Sequence, residues 1–215
     1  MYYSIATTVQ PVIEPITLDQ AKLHLRVDHA VDDALITSLI AMSRGWCEQY
    51  TERAFINQTK SMTLSIFPRF GWFRDGIAHT LLPVSYRGAI RLPFGPVSSI
   101  TSVQYVDGAG VTQTMISPAY QVWLEHEPPL VAPASQTGWP ATEVDTLKAV
   151  TVAYVCGYGA TATSVPDAIR QAILLMVGQH YERRGDGDLM GNLEVIGIHP
   201  AVKLLLSPYR TSIHS

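Results

Sequence analysis

Three short clusters in the sequence combine residue types that could bind a metal ion or transfer a proton. The first contains Asp28, His29, Asp32 and Asp33, whose side chains could ligate a hard divalent cation. Their spacing lacks the alternation and the central glycine of a calcium-binding loop. Acidic residues also suit the first turn of a helix, where their charge complements the helix dipole. The pattern therefore favours a helix start over a cation site.

The other two clusters lie in segments that are typical of loops. Glu125, His126 and Glu127 could form an acid–base or metal-binding group, but two prolines follow directly, which favours a solvated turn. The run Gly185-Asp186-Gly187-Asp188 resembles a fragment of a calcium-binding loop. It lacks the following glycine and glutamate at the required offsets, so a flexible linker is favoured.

Motifs of common enzyme classes are missing from the sequence. It contains no P-loop, no Gly-x-Ser-x-Gly and no His-Glu-x-x-His pattern. Cys47 and Cys156 do not form a Cys-x-x-Cys pair, so neither a zinc site nor a disulfide framework is indicated, and free buried thiols are expected. The sequence therefore predicts a protein that has no catalytic activity and binds no cofactor.

The composition restricts the classes of partner. The chain has 215 residues and a net charge of −3, which argues against a dedicated nucleic-acid-binding protein. It is compatible with a wall past which DNA slides without tight phosphate binding. Charged residues make up 15% of the chain, below the roughly 25% of typical soluble domains. This fits either a surface largely buried against neighbouring subunits or a slightly hydrophobic monomer.

One segment is rich in aromatic and arginine side chains. Such side chains can stack on single-stranded bases, or they can anchor a protein interface. The acidic chain favours a protein interface, with a covered core patch as the remaining interpretation. The candidate interface residues are Phe67, Arg69, Phe70, Trp72, Phe73 and Arg74.

Helical signals dominate the two ends of the chain. Thr17 and Gln20 form a predicted capping box for a short first helix, and Asp32 and Asp33 begin a longer second one. Pro166 and Asp167 are expected to begin a second long helix, and residues 200–206 form a short terminal one. Apolar residues at helical spacing give the second helix an apolar face that is wide enough to pack on two neighbours. This face contains Leu35, Leu39, Met42 and Trp46, flanked by Ile36, Ile40, Cys47 and Tyr50.

Between these helices the apolar period changes to two, which predicts strands. The turn Asp107-Gly108-Ala109-Gly110 indicates a hairpin. Residues 125–145 contain several prolines and are predicted to form a loop. The fold class is therefore α+β, with a helical body and an inserted antiparallel β-rich region. Strands are expected at residues 62–66, 89–92, 100–106, 111–115, 120–124 and 150–154.

Four segments together resemble the gp6-like head–tail connector (adaptor) proteins of bacteriophages and gene transfer agents. PITLDQAKLHLRVDHAVDDALITSLIAMSRGWCEQYTERAF resembles the first helical block of that family. RLPFGPVSSITSVQYVDGAGVTQTM is similar to its strand and Asp-Gly hairpin. VTVAYVCGYGATATSVPDAIRQAILLMVGQHYERR and LLSPYR resemble its last strand with the following helix and its usual ending. No segment is specific alone; their order and spacing carry the resemblance.

The resemblance implies a structural protein of the virion neck, made in the host cytoplasm. Its single adaptor domain would span residues 1–215, with N-terminal helices at 1–56, a β-rich insertion at 57–160 and a C-terminal part at 161–215. Copies would form a ring, usually of twelve, between the portal protein and a stopper or tail terminator protein. DNA would pass through the ring without sequence-specific binding, and no membrane would be contacted.

The resemblance also implies that the C-terminal segment reaches the portal. The alternative is that this segment packs on its own core, as short apolar helices commonly do. Other functions left open are a stopper or tail-completion subunit, a small nucleic-acid-binding module, and a small hydrolase or metalloenzyme. The candidate portal-binding residues are Leu204, Leu205, Leu206, Pro208, Tyr209 and Arg210.

Overall fold

The computed structural model describes residues 3–68, 88–135, 137–143, 146–183 and 198–211. Contacts within the chain group into two compact units. The sheet unit contains Met1–Gln10 and Gln58–Gly157, and the helical unit contains Pro11–Asn57 and Tyr158–Ser215. The assignment of residues 1–215 to a single adaptor domain, with the insertion at 57–160, stays a prediction.

The described residues of the helical unit contain four α-helices. They are α1 (Leu18–Leu25), α2 (Asp33–Thr51), α3 (Asp167–Glu182) and α4 (Pro200–Leu206). The predicted capping box of α1 is confirmed: the Gln20 backbone N–H donates to Thr17 Oγ1 over 3.2 Å, and the Thr17 N–H donates to Gln20 Oε1 over 3.1 Å. Two backbone donors that a helix start leaves unpaired are thereby satisfied.

The fully buried apolar residues of α2 are those on the flank of the predicted apolar face. Ile36, Ile40 and Cys47 are fully buried, whereas Met42 exposes 44% of its surface and Trp46 is half-buried. The two apolar lines lie side by side on the helix, and the inner one, which has the smaller side chains, allows closer packing against α3. The larger side chains are left at the rim of the core.

A buried carboxylate closes the end of α2. Glu48 Oε1 accepts a hydrogen bond from the Phe55 backbone N–H over 2.8 Å, and Glu48 Oε2 accepts one from Arg44 over 2.8 Å. Arg44 also donates to Glu14 over 2.7 Å. Burial alone would lower the pKa of Arg44, but the hydrogen bond to Glu14 and the charge of Glu48 raise it overall. The Arg44 guanidinium is therefore paired with two carboxylates, those of Glu14 and Glu48.

Two antiparallel sheets are found among the described residues of the sheet unit. A five-stranded sheet has the order β1-β2-β8-β4-β5, and a three-stranded sheet has the order β3-β7-β6. The predicted class, mixed α and β with antiparallel sheets, is confirmed. The strands in chain order are β1 (Tyr3–Val9), β2 (Gln58–Leu64), β3 (Ile90–Arg91), β4 (Val97–Val106), β5 (Thr112–Met115), β6 (Tyr120–Trp123), β7 (Leu130–Pro133) and β8 (Val150–Cys156).

Two of these strands were not predicted from the sequence. Apolar alternation did not reveal β1. Most of its residues are exposed, so the strand does not need an alternating row of apolar side chains facing a core. β7 lies inside the segment 125–145 that was predicted to be a loop, and that prediction is wrong for residues 130–133. Its short apolar run pairs with both β3 and β6, and tertiary pairing overrides the loop signal of the neighbouring prolines.

The predicted hairpin between β4 and β5 is confirmed, and Asp107 fixes its turn. Asp107 Oδ1 accepts from the backbone N–H groups of Ala109 and Val111, both over 3.0 Å. Asp107 Oδ2 accepts from the Gln113 side chain over 2.8 Å. These donors, Gln113 first, lower the pKa of the Asp107 carboxyl because they stabilise its charged form. Gly110 takes the positive φ of 78° that the turn requires.

We expect Glu48→Ala to destabilise the chain by about 3 kcal/mol, because it leaves the buried Phe55 backbone N–H without its acceptor and removes one of the two carboxylates that pair with Arg44. Asp167→Ala is the matched control, since Asp167 also pairs with an arginine, Arg170, but its side chain is 90% exposed. It should cost less than about 0.5 kcal/mol. Urea unfolding of both variants measures the difference, and equal losses would contradict the structural role of Glu48.

Cys47 should make the stability depend on pH above neutrality. Burial, followed by the charge of Glu48, raises the pKa of this thiol from 9.0 to about 12. The unfolded thiol therefore loses its proton at a pH where the folded thiol keeps it, and stability falls as pH rises. This group alone predicts a loss of roughly 0.8 kcal/mol between pH 8 and pH 9.5. Urea unfolding of Cys47→Ala should show a smaller pH dependence; an unchanged dependence would refute the assignment.

Candidate partner-binding surfaces

The C-terminal segment, α4 with the residues that follow it to Thr211, packs on the helical unit. Val202 and Leu206 are fully buried in the core formed by α2 and α3. Leu205 and Tyr209 are partly buried against the same core. One face of this segment is therefore part of the folded unit, as the alternative interpretation of the sequence expected.

Hydrogen bonds tie the end of this segment to the end of α2. The Thr211 backbone N–H and hydroxyl both donate to the Thr51 carbonyl oxygen, over 3.1 and 3.0 Å. Arg53 Nε donates to the Tyr209 carbonyl oxygen. The last turn of a helix leaves carbonyl oxygens unpaired, and Thr211 satisfies one of them at α2.

An aromatic stack lies beside these hydrogen bonds. The rings of Trp46 and Tyr50 are parallel to within 10°, with centroids 5.1 Å apart. The guanidinium carbon of Arg210 lies 5.3 Å from the centroid of Tyr50, within range of a cation–π contact. Sequence reasoning placed Trp46 and Tyr50 on the helix stripe but missed the stack, although their spacing of four residues could have indicated it.

The six predicted portal-binding residues divide into two groups. Leu206 is buried, and Leu205 and Tyr209 are half-buried, so these three hold the segment on the core. The other three are exposed, and Leu204 leaves 74% of its surface open to solvent. In the folded chain, a partner can therefore reach the C-terminal segment through Leu204, Pro208 and Arg210.

Phe67 is the one predicted interface aromatic within the described residues, and it is buried. Its ring stacks on Trp139 with centroids 4.5 Å apart and also contacts Tyr105. Trp139 Nε1 donates to the Gly88 carbonyl oxygen over 2.6 Å. Phe67 therefore anchors the sheet unit. The remaining candidates, Arg69, Phe70, Trp72, Phe73 and Arg74, lie outside the described residues.

Three residues of the predicted acidic clusters make structural contacts. Asp32 Oδ2 accepts from the Tyr181 hydroxyl over 2.5 Å, and Asp33 pairs with Lys22 over 2.7 Å, so both fasten the start of α2. His126 Nδ1 lies 2.7 Å from the Pro128 carbonyl oxygen. Within the described residues, no three His, Cys, Asp or Glu side chains converge on a metal-binding point. The cluster at residues 185–188 lies outside them.

No helix in the described part of the chain is both long enough and apolar enough to cross a membrane. Several large apolar side chains are nevertheless exposed on the helical unit. Val12, Leu23 and Val31 each expose more than four-fifths of their surface. Isolated exposed side chains of this kind are common, but on a chain with so few charges they add to the surface available for protein contacts.

The chain belongs to the α+β fold class, with a helical unit and an antiparallel sheet unit. The family comparison is more specific. Residues 15–103 match the family model described as "Phage gp6-like head-tail connector protein". The resemblance to head–tail connector proteins that the sequence indicated is therefore confirmed. No curated protein sequence matches the chain.

Solved structures of gene transfer agent (GTA) particles share this fold. The neck of an empty GTA particle, computed with C6 symmetry, matches with a TM-score of 0.71 and 22% identity, over 98% of this chain and 96% of that chain. The virion of a native GTA particle gives the same values. The neck of a native GTA particle, computed with C12 symmetry, gives a TM-score of 0.69 and 21% identity over the same shares.

The two faces of the C-terminal segment can be separated by mutation. We expect Leu206→Ala to lower the free energy of unfolding by about 3 kcal/mol, because it opens a cavity in the core. Leu204→Ala removes the same atoms from an exposed position and should change stability by less than about 0.5 kcal/mol. Thermal or urea unfolding distinguishes the two variants. A large loss with Leu204→Ala would show that this residue is buried.

Proposed function

We propose that this protein is a structural head–tail connector subunit in the neck of a bacteriophage or gene transfer agent particle. Copies of the chain form a ring of twelve between the portal protein and the next neck or tail protein. The ring surrounds the channel through which DNA is ejected and makes no sequence-specific contact with it. The subunit has no catalytic role, and it acts as a helical body that carries an inserted β-rich region.

The observation that carries this proposal is the match to the GTA neck structures across nearly the whole of both chains. A match that covers only a common motif would support the fold of one segment. Here both units of the chain have counterparts, and the family model independently matches residues 15–103 as a head–tail connector. The C6 and C12 symmetries of the similar neck structures support a cyclic assembly of identical subunits.

The surface chemistry of the chain agrees with a ring subunit. A closed ring requires two different surfaces on each copy, since each subunit contacts its neighbours head to tail. The low charge fraction reduces the desolvation cost of burying such surfaces. The net charge of −3 disfavours tight phosphate binding, which suits a channel through which DNA moves freely.

We assign portal contact to the exposed face of the C-terminal segment. Leu204 offers an apolar side chain to a partner, and Pro208 and Arg210 flank the same segment. Val202, Leu205, Leu206 and Tyr209 pack against the helical core and fix the position of that face. The segment is therefore pre-organised, which reduces the entropy lost on binding.

Recovery of partners from particle-producing cells tests this proposal. We expect the tagged full chain, purified from a lysate that contains particles, to bring down the portal protein and the next neck or tail protein. Mass spectrometry identifies both. Failure to recover any particle protein, in a lysate where particles are present, would refute the proposed function. Recovery of tail proteins without the portal would assign a stopper or tail-completion role instead.

The portal-binding face has its own matched pair of variants. Leu204→Glu should leave folding unchanged and reduce recovery of the portal at least about tenfold, a loss of roughly 1.4 kcal/mol in binding. Leu23→Glu places the same charge at a leucine on α1 that is 82% exposed, against 74% for Leu204, and should retain the portal. Equal recovery with Leu204→Glu and the unmodified chain would show that the C-terminal face does not contact the portal.

A further inference from the structure

In the part of the chain that the structure describes, the five-stranded sheet ends in two different open edges. β1 forms one edge and β5 the other, and both strands are mostly exposed in the described structure. We infer that β1 of one copy pairs with β5 of the adjacent copy, so that one sheet continues from subunit to subunit around the ring. This inference rests on the proposed function, because it names the contact that joins the copies of that ring.

β1 carries only one of the features by which proteins usually protect an edge strand, an irregularity between Thr7 and Val9. Its seven residues include no charged residue and no proline, and five of them are exposed. Tyr3 and Val9 leave 52% and 55% of their surfaces open to solvent. The register with β2 shifts between Thr7 and Val9, but pairing from Tyr3 to Thr7 is regular. Such an uncharged open edge is a ready template for another strand.

β5 has the same character at the opposite end of the sheet. Thr112, Gln113 and Thr114 are exposed, and the strand contains no charged residue. The apolar neighbours of the strand, Val111 and Ile116, leave 53% and 70% of their surfaces exposed. Pairing of β5 with another strand would satisfy its open backbone groups and bring apolar side chains at both edges out of water.

Strand direction decides the kind of pairing. Every neighbouring pair in the sheet is antiparallel, so the first and fifth strands, β1 and β5, have the same sense. A sheet that continues from β5 into the β1 of the next copy with this sense would be joined by a parallel pair, whose hydrogen bonds are evenly spaced.

The two edges also meet the requirement for closure. A contact between β1 of one copy and β1 of another would relate the copies by a twofold axis and stop at a dimer. Contact between two different edges is heterologous and can repeat until the ring closes. Of the edges of the smaller sheet, β3 has only two residues, one of them Arg91. β6 is the other edge of that sheet and could form the contact between copies in place of β5, so one of the control variants tests it.

Disulfide cross-linking of the full chain in assembled particles tests the pairing. Ser4 or Ala6 in β1 is changed to Cys together with Thr112, Gln113 or Thr114 in β5, so that six double variants cover the registers. Adjacent strands bring Cα atoms within the distance that a disulfide spans. After mild oxidation, denaturing electrophoresis without reductant should show a loss of monomer and a ladder of dimers, trimers and larger species. The native Cys47 and Cys156 are buried, so they should not contribute to this cross-linking.

Control variants separate the outcomes. Ala6→Cys alone should stay monomeric, and a strong dimer would overturn the inference in favour of β1–β1 pairing. A ladder from Ala6→Cys with Gln121→Cys, and none from the β5 pairs, would overturn it in favour of β6. If no pair forms a ladder while the chain is present in the necks of the particles, the edge pairing is refuted and the proposed function stands. Absence of the unmodified chain from the particles would refute the proposed function itself.

Discussion

The structure of the helical unit depends on the way its polar groups are satisfied at the C-terminal end of α2. A buried helix end leaves carbonyl oxygens without partners, and the chain must supply them. Glu48 binds the Phe55 backbone N–H, which fixes the chain as it leaves the helix. Thr211 binds the Thr51 carbonyl, which brings the last described residue of the chain back to the same place. Two segments distant in sequence are thereby held at one helix end.

That constraint gives the C-terminal segment two roles at once. Its inner face completes the core through Val202 and Leu206, while its outer face presents Leu204 to solvent. A segment held in this way is positioned for a partner before the partner arrives.

The sheet unit poses a different problem, since β1 and β5 keep open backbone edges that the described chain does not cover. Assembly of identical copies would satisfy those edges through the same hydrogen bonds that build the sheet.

Sequence patterns predicted the elements whose signals are local. The capping box at Thr17, the Asp107 turn and the start of α3 all depend on residues a few positions apart, and the structure contains each of them. Patterns failed where pairing is decided by distant strands. β1 has no alternation to detect because most of its residues are exposed, and β7 forms among prolines because β3 and β6 flank it.

By itself, the sequence determined the α+β class, the resemblance to head–tail connector proteins and the approximate limits of most helices and strands. Local hydrogen bonding and apolar periodicity are written directly in neighbouring residues, so these features could be read without coordinates. Only the tertiary structure decided that Ile36 and Ile40, not Leu35 and Met42, face the core, and that Phe67 and Leu206 are buried. Burial depends on which surfaces meet across the fold, and a chain with adjacent apolar lines leaves that choice to packing.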